Sequence, residues 1–283
     1  MWRGSSGETR SAHLVVDATG GEWVVKWSDA TESARANLER LVALVDGLKA
    51  SGYPAPAHLA VGRIDGWAYW VQERLPGEPI RSSPRSMPDE SRLAVLARDL
   101  VDLAIQHDGR GDLADPPWPD WLLRTLVDGG DGYCLHETMR RTPHTAQMLD
   151  EITSIAESCR DAPVRRHDIT HFDFSYANAL TDGVRVTGVI DWNVPFEGAL
   201  QGDLAFDIAT LLFYAYDRPS VTRELWRSLL EWADPRAAAL YLAHLTLRQV
   251  EWVERFYPGT SQHDRFLTIG RAVLDDIRRI LNS

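Results

Sequence analysis

Between His167 and Trp192 the sequence reads HDITHFDFSYANALTDGVRVTGVIDW, which sets His171, Asp173, Asn178 and Asp191 among apolar neighbours. A carboxylate in such surroundings costs roughly several kcal/mol unless something satisfies it. Asp173 and Asn178 are five positions apart, and Asp191 follows a hairpin pattern. A loop, a turn and a returning strand can therefore bring three oxygen-bearing side chains to one point. Carboxylate and amide oxygens suit Mg²⁺, which takes one or two carboxylates and completes its shell with water and substrate phosphates. Phosphoryl transfer needs such a metal, a carboxylate to receive the acceptor hydroxyl's proton, and a lysine against the phosphates. A metal hydrolase using His171, Asp173 and Asp191 is the competing chemistry, but a transition-metal site usually recruits more than one histidine.

A lysine candidate stands out by scarcity. Of the 30 basic residues only Lys26 and Lys49 are lysine, and Lys26 lies near the end of the strand-like run EWVVKW. The elements that must position these groups follow from periodicity. AHLVVDATGG and EWVVKW read as a hairpin with a Gly-Gly turn. From Glu32 to Ala50, Leu38, Leu41, Val42, Val45 and Leu48 recur at helical spacing, and Gly52 and Pro54 end the pattern. HLAVGRI and AYWVQERL read as two more strands before PGEP, which marks the expected lobe boundary. Beyond it the chain is helical in pattern up to DRFLTIGRAVLDDIRRIL, interrupted by the polar stretch, where Thr181-Asp182-Gly183 reads as the turn of a small hairpin. The expected organisation is a small β-rich N-terminal lobe over residues 1–75 and a larger helical lobe over 76–283 that carries the polar loop and hairpin.

Composition narrows the class. Apolar residues make up 44% and charged residues 25% of the 283, which is ordinary globular usage. The formal charge of −11 argues against a nucleic-acid partner and permits a cationic small molecule. MWRGSSGETR lacks the apolar core of a signal peptide, and no run approaches a membrane span, so a cytoplasmic protein with no membrane partner is expected. Cys134 and Cys159 lack the paired spacing of a zinc or redox site and read as structural thiols.

The pattern His171-x-Asp173-x4-Asn178, then Asp191-Trp192 after an apolar strand, with GDLAFDIATLLFY downstream and GYPAP upstream, resembles the aminoglycoside phosphotransferase family of small-molecule kinases. The resemblance implies an α+β, bilobal protein-kinase-like fold with a small β-rich N-lobe and a larger, mainly helical C-lobe. It implies Asp173 as the catalytic base, Asn178 and Asp191 as Mg²⁺ ligands, and Lys26 on the α- and β-phosphates of ATP or GTP. Lys26 would pair with a helix glutamate, with Glu39 preferred and Glu32 the alternative. Ser5, Ser6 and Gly7 in the loop GSSGE would cover the phosphates, and the backbone of Gln72, Glu73 and Arg74 would meet the base. His171 would be structural, Asp203 the N-cap of the helix that follows it, and Asp207 a brace for the catalytic loop.

Two departures matter. Phe172 stands where many relatives carry glycine, and Ser175 where serine/threonine protein kinases carry lysine. Ser175, together with Asp191-Trp192-Asn193, points to small-molecule acceptors. Only three residues precede the glycine-serine loop, so the first strand is expected to be truncated or missing. A nucleotide-binding sensor without transfer activity is the alternative that this short start suggests.

Overall fold

The computed structural model describes residues 3–4, 12–29, 32–81, 88–192 and 200–282. They fall into two compact units, one made of Met1–Ser82 and Ala177–Gly198, the other of Ser83–Tyr176 and Ala199–Ser283. The expected boundary at 75/76 differs from this division, because the polar hairpin belongs with the N-terminal strands.

The first unit carries β1 (Arg3–Gly4), β2 (His13–Val16), β3 (Glu22–Asp29), α1 (Glu32–Ala50), β4 (His58–Ile64) and β5 (Trp67–Glu73). The strands form one antiparallel sheet in the order β1-β2-β3-β5-β4. Register pairs Lys26 with Trp70 and Val24 with Gln72 on one face, and Val25 with Val71 and Trp27 with Tyr69 on the other. The first face is the buried one: Lys26, Ala68, Trp70 and Gln72 are all nearly closed to solvent. β4 and β5 are joined by Asp65-Gly66, both at positive φ, the pairing that a type I′ hairpin turn requires. α1 buries Leu38, Leu41, Val45 and Leu48, as its spacing predicts, and each such side chain contributes about 1.5–3 kcal/mol. Among the described residues the first strand spans Arg3–Gly4.

The same unit contains a second sheet of β6 (Glu78–Pro79), β8 (Ala179–Thr181) and β9 (Val186–Val189), in the order β6-β8-β9. PGEP therefore does not leave the unit. Its Glu78 and Pro79 pair with Thr181 and Leu180, and the Ile80 N–H donates to the Ala179 carbonyl at 2.9 Å. Proline is tolerated there because β6 is an edge strand. The hairpin turn lies at Asp182–Arg185 rather than at 181–183, because Asp182 Oδ1 accepts the N–H groups of Val184 and Arg185 at 2.7 and 3.0 Å.

The second unit is helical: α2 (Glu90–Ile105), α3 (Trp118–Asp128), α4 (His136–Met139), α5 (Pro143–Ser158), α6 (Leu204–Tyr214), α7 (Pro219–Trp232), α8 (Pro235–Phe256) and α9 (Ser261–Leu281). Its short antiparallel pair, β7 (Asp168–Ile169) with β10 (Gln201–Gly202), was not apparent from periodicity, since two residues carry none. Asp89, Thr142, Asp203, Asp234 and Thr260 cap their helices through side-chain oxygens. α6 is buried all round from Leu204 to Phe213, the pattern of a helix at the centre of a core. Cys134 and Cys159 are buried free thiols. Among the described residues no helix is long and apolar enough to cross a membrane.

Candidate active site

In the first unit, β8 and β9 run antiparallel with Ala179 opposite Val189, and the Ile190 N–H donates to the Asn178 carbonyl at 2.8 Å. Asn178, just before β8, and Asp191, just after β9, thus stand at the same end of one hairpin. Lys26, 4% exposed on β3, places its ammonium 2.5 Å from Asp191 Oδ1. Asp191 itself lies at φ 66°, in the left-handed region. Trp192 anchors it: the indole N–H donates to the Val189 carbonyl at 3.0 Å, and the ring meets Tyr53 edge-on at 5.9 Å. The Val189 N–H donates to the Pro54 carbonyl at 2.8 Å, so the GYPAP turn is stitched to the hairpin that carries Asp191.

The structure thus brings Lys26, Asp191 and Asn178 into one unit, with the Lys26 ammonium on Asp191. Asp191 is the carboxylate that meets the Lys26 ammonium, and Glu39 is an exposed residue of α1. The side chain of Glu32, like Ser5, Ser6 and Gly7, lies outside the described residues. In the expected hinge, Gln72 is buried within β5, the Glu73 N–H donates to the Ala57 carbonyl at 2.9 Å, and the Glu73 carboxylate pairs with Lys49. The Glu73 N–H is therefore already engaged and is not open to a base. Arg74 pairs with Glu22. A cavity of about 640 Å³ is lined by these two residues, by Leu75, Gly77 and Glu78, and by the hairpin turn at Asp182. Its lining includes neither Lys26 nor Asp191.

In the second unit the loop after β7 carries His171, Phe172 and Asp173. Asp207, in the first turn of α6 and fully buried, accepts the N–H groups of His171 and Phe172 at 2.9 and 3.2 Å. The ring Nδ1 of His107 lies 3.2 Å from the same carboxylate. Asp207 is thus the brace its position suggested. Asp168 extends the scaffold: it accepts the Gly109 N–H at 2.9 Å and the Leu204 N–H at 3.2 Å, and pairs with Arg165 at 2.8 Å. Asp203 caps Ala205 at 2.8 Å and accepts the Tyr241 hydroxyl. Burial pushes the Asp203 carboxyl up to about 6, against the pull of Tyr241. Phe172 sits in an aromatic nest with Trp121, at 5.3 Å between ring centres, and Phe206, stacked at 5.5 Å. Trp118 and Trp121, in the WPDW stretch, are accordingly core.

Arg248 on α8 reaches both Phe172 and Asp173. Neither it nor Asp168 was singled out from the sequence. The available signal was helical spacing: Tyr241, His244, Arg248 and Glu251 fall on one face of a helix whose other residues are largely apolar.

The first unit thus carries Asn178 and Asp191 at one hairpin end with Lys26 on the aspartate, and the second carries a His-x-Asp loop braced by Asp207. The chain matches the phosphotransferase enzyme family over residues 3–241, and it belongs to that family. Hygromycin-B 4-O-kinase of Escherichia coli is 42% identical over 173 residues, covering 57% of this chain and 48% of the relative. The chain thus spans about half the length of that curated relative. Among solved structures, amicoumacin kinase hAmiN, determined with AMP-PNP, Ca²⁺ and Ami, superposes with a TM-score of 0.65 at 11% identity, covering 97% of this chain and 88% of that one. The aminoglycoside phosphotransferase APH(3'')-Id of Streptomyces rimosus, determined with ADP and streptomycin, gives a TM-score of 0.56 at 18% identity, covering 87% of this chain and 92% of that one. At these identities the solved structures establish the fold: a small antiparallel β unit with a helical unit, as in kinase-like phosphotransferases.

Proposed function

We propose that this chain is a Mg²⁺-assisted, ATP- or GTP-dependent O-phosphotransferase that modifies a hydroxyl of a small cationic antibiotic of the aminoglycoside type, conferring resistance. The observation that carries the reading is the Lys26 ammonium on Asp191, with Asn178 at the same hairpin end. Asn178 and Asp191 suit Mg²⁺ by donor chemistry, one amide and one carboxylate oxygen with room left for water and phosphate oxygens. The metal would supply neutralisation of phosphate charge. Lys26 holds and orients the Asp191 carboxylate and, with nucleotide present, steadies the α- and β-phosphates.

Asp173 takes the proton from the acceptor hydroxyl as the new O–P bond forms and the bond from the γ-phosphorus to its bridging oxygen breaks, releasing the nucleoside diphosphate. Asp207 holds the backbone of the loop that presents it. The identity with hygromycin-B 4-O-kinase supports an aminoglycoside-type acceptor, and the AMP-PNP and ADP bound in the solved structures of amicoumacin kinase and APH(3'')-Id support nucleotide use. The acidic balance of −11 suits a polycationic acceptor.

The test is transfer of label from γ-labelled ATP or GTP, with Mg²⁺, to a panel headed by hygromycin B and streptomycin. Labelled product is expected from the wild type and not from Asp173→Asn, which should still bind nucleotide. Wild-type turnover in Asp173→Asn removes Asp173 from the reaction, and nucleotide binding without transfer to any acceptor favours the sensor reading.

A further inference from the structure

Phe172 lies at φ 70°, a region that a bulky L residue enters only when its surroundings hold it there. Its N–H is held by Asp207 from α6. Its carbonyl is held from a different helix: Arg248 Nη1 on α8 donates to it at 2.9 Å. The other arm of the same guanidinium, Nη2, lies 3.3 Å from Asp173 Oδ1, and the guanidinium carbon sits 5.2 Å from the centre of the Phe172 ring. The residue before Asp173 is therefore gripped at both of its peptide groups, and the carboxylate is gripped by one of the two clamps.

We propose that Arg248 is a positioning residue for phosphoryl transfer, one that sets both the strained backbone before Asp173 and the orientation of the Asp173 carboxylate. The inference rests on the reading of Asp173 as the base. A guanidinium suits the task because its planar fork addresses a carbonyl and a carboxylate at once, whereas a lysine ammonium is a point charge on a flexible stem. Its place on a buried helix supplies rigidity. Asp207 and Arg248 act on successive peptide groups, so neither can replace the other.

The assay is transfer from Mg-ATP to the acceptor drawn from the panel, hygromycin B being the first probe, with melting temperature followed for every variant. Arg248→Ala is expected to lower kcat by roughly 10²-fold or more, the scale of a misplaced reacting group, while the nucleotide KM stays within about threefold. Guanidinium ion at about 50 mM is expected to recover at least about tenfold of that kcat in Arg248→Ala and nothing in the wild type, because it can refill the fork. Arg248→Lys is expected to fall well below the wild type. A folded Arg248→Ala with wild-type kcat overturns the assignment. So does a loss that guanidinium leaves untouched while nucleotide KM rises in step, the mark of general damage to the fold. If Arg248→Ala is recovered only as aggregate, Arg248→Lys decides, and wild-type kcat in that folded variant overturns the assignment. Asp173→Asn separates the two claims: activity there sinks the base reading itself, whereas an inactive Asp173→Asn beside a fully active Arg248→Ala sinks only the positioning role.

Discussion

Lys26 and Asp191 lie 165 positions apart in sequence and form an ion pair at 2.5 Å, with the lysine side chain almost wholly buried and the aspartate side chain 28% exposed. Asp191 keeps part of its hydration, so the pair is neither a surface bridge nor a fully buried one. Lys26→Met should reduce kcat/KM for nucleotide by about 10²-fold, because the group proposed to steady the phosphates is gone. It should lower stability by only about 1–3 kcal/mol, between the values for exposed and buried pairs. Steady-state kinetics and urea unfolding of the same preparation check both figures.

The metal-donor role proposed for Asn178 is separable from that of Lys26. In Asn178→Ala one of the two oxygen donors at the hairpin end is lost while Asp191 and Lys26 remain. The Mg²⁺ concentration for half-maximal transfer should rise about tenfold. The acceptor KM should stay within a factor of two. A Mg²⁺ titration at saturating nucleotide reads this out, and excess EDTA should stop transfer in the wild type. An unchanged Mg²⁺ requirement in the variant would remove Asn178 from the metal's shell.

Asp207 should matter to stability more than its distance from any reacting atom suggests. Asp207→Ala leaves the N–H groups of His171 and Phe172 without their charged acceptor in a buried site. At about 1–3 kcal/mol for each group, unfolding free energy should fall by roughly 2–5 kcal/mol, and transfer should fall with it. Asp207→Asn retains one acceptor oxygen and should lose less. Chemical denaturation of the two variants ranks them.

The pH dependence of stability contains two opposed contributions from the second unit. Asp203, raised to about 6 by burial, takes up its proton more readily folded than unfolded, so its contribution is lost as pH rises from about 4 to about 6. His244, lowered to about 3 by burial and then by Arg248, stays neutral in the fold, so stability is lost as pH falls below about 6.5. Between pH 7 and pH 5 the two partly offset each other, leaving a net loss of up to about 1 kcal/mol as pH falls. Asp203→Asn should expose the histidine and lose about 2 kcal/mol over that interval, and His244→Gln should expose the aspartate and gain about 1 kcal/mol. Urea midpoints at the two pH values, compared across the three proteins, test the signs as well as the sizes.

The local elements were legible in the sequence because their causes are local. The 3.6-residue recurrence of Leu38, Leu41, Val45 and Leu48 specifies α1, and the longer helices of the second unit follow from the same rule. Asp173, Asn178, Asp191 and Lys26 could be singled out because they differ in kind from their neighbours, and the structure joins two of them, Lys26 and Asp191; the roles given to all four are the proposal above. What periodicity missed was short or distant: the pair β7–β10, the single turn α4 and the edge strand β6 span too few residues to show a period.

Sequence alone could name Lys26 but not its partner. The strand register of β3 and the return of β9 deliver Asp191 to the ammonium. It could list Arg248 only as one of many arginines; the packing of α8 against the loop after β7 turned that residue toward Phe172 and Asp173. The division of the chain was decided the same way, by backbone hydrogen bonds from Val189 to Pro54 and from Ile80 to Ala179. Propensity and periodicity act over a few residues, so they settle what each segment becomes. Which charge meets which depends on contacts between positions 75 to 165 apart in the chain, and only the closed tertiary structure makes those.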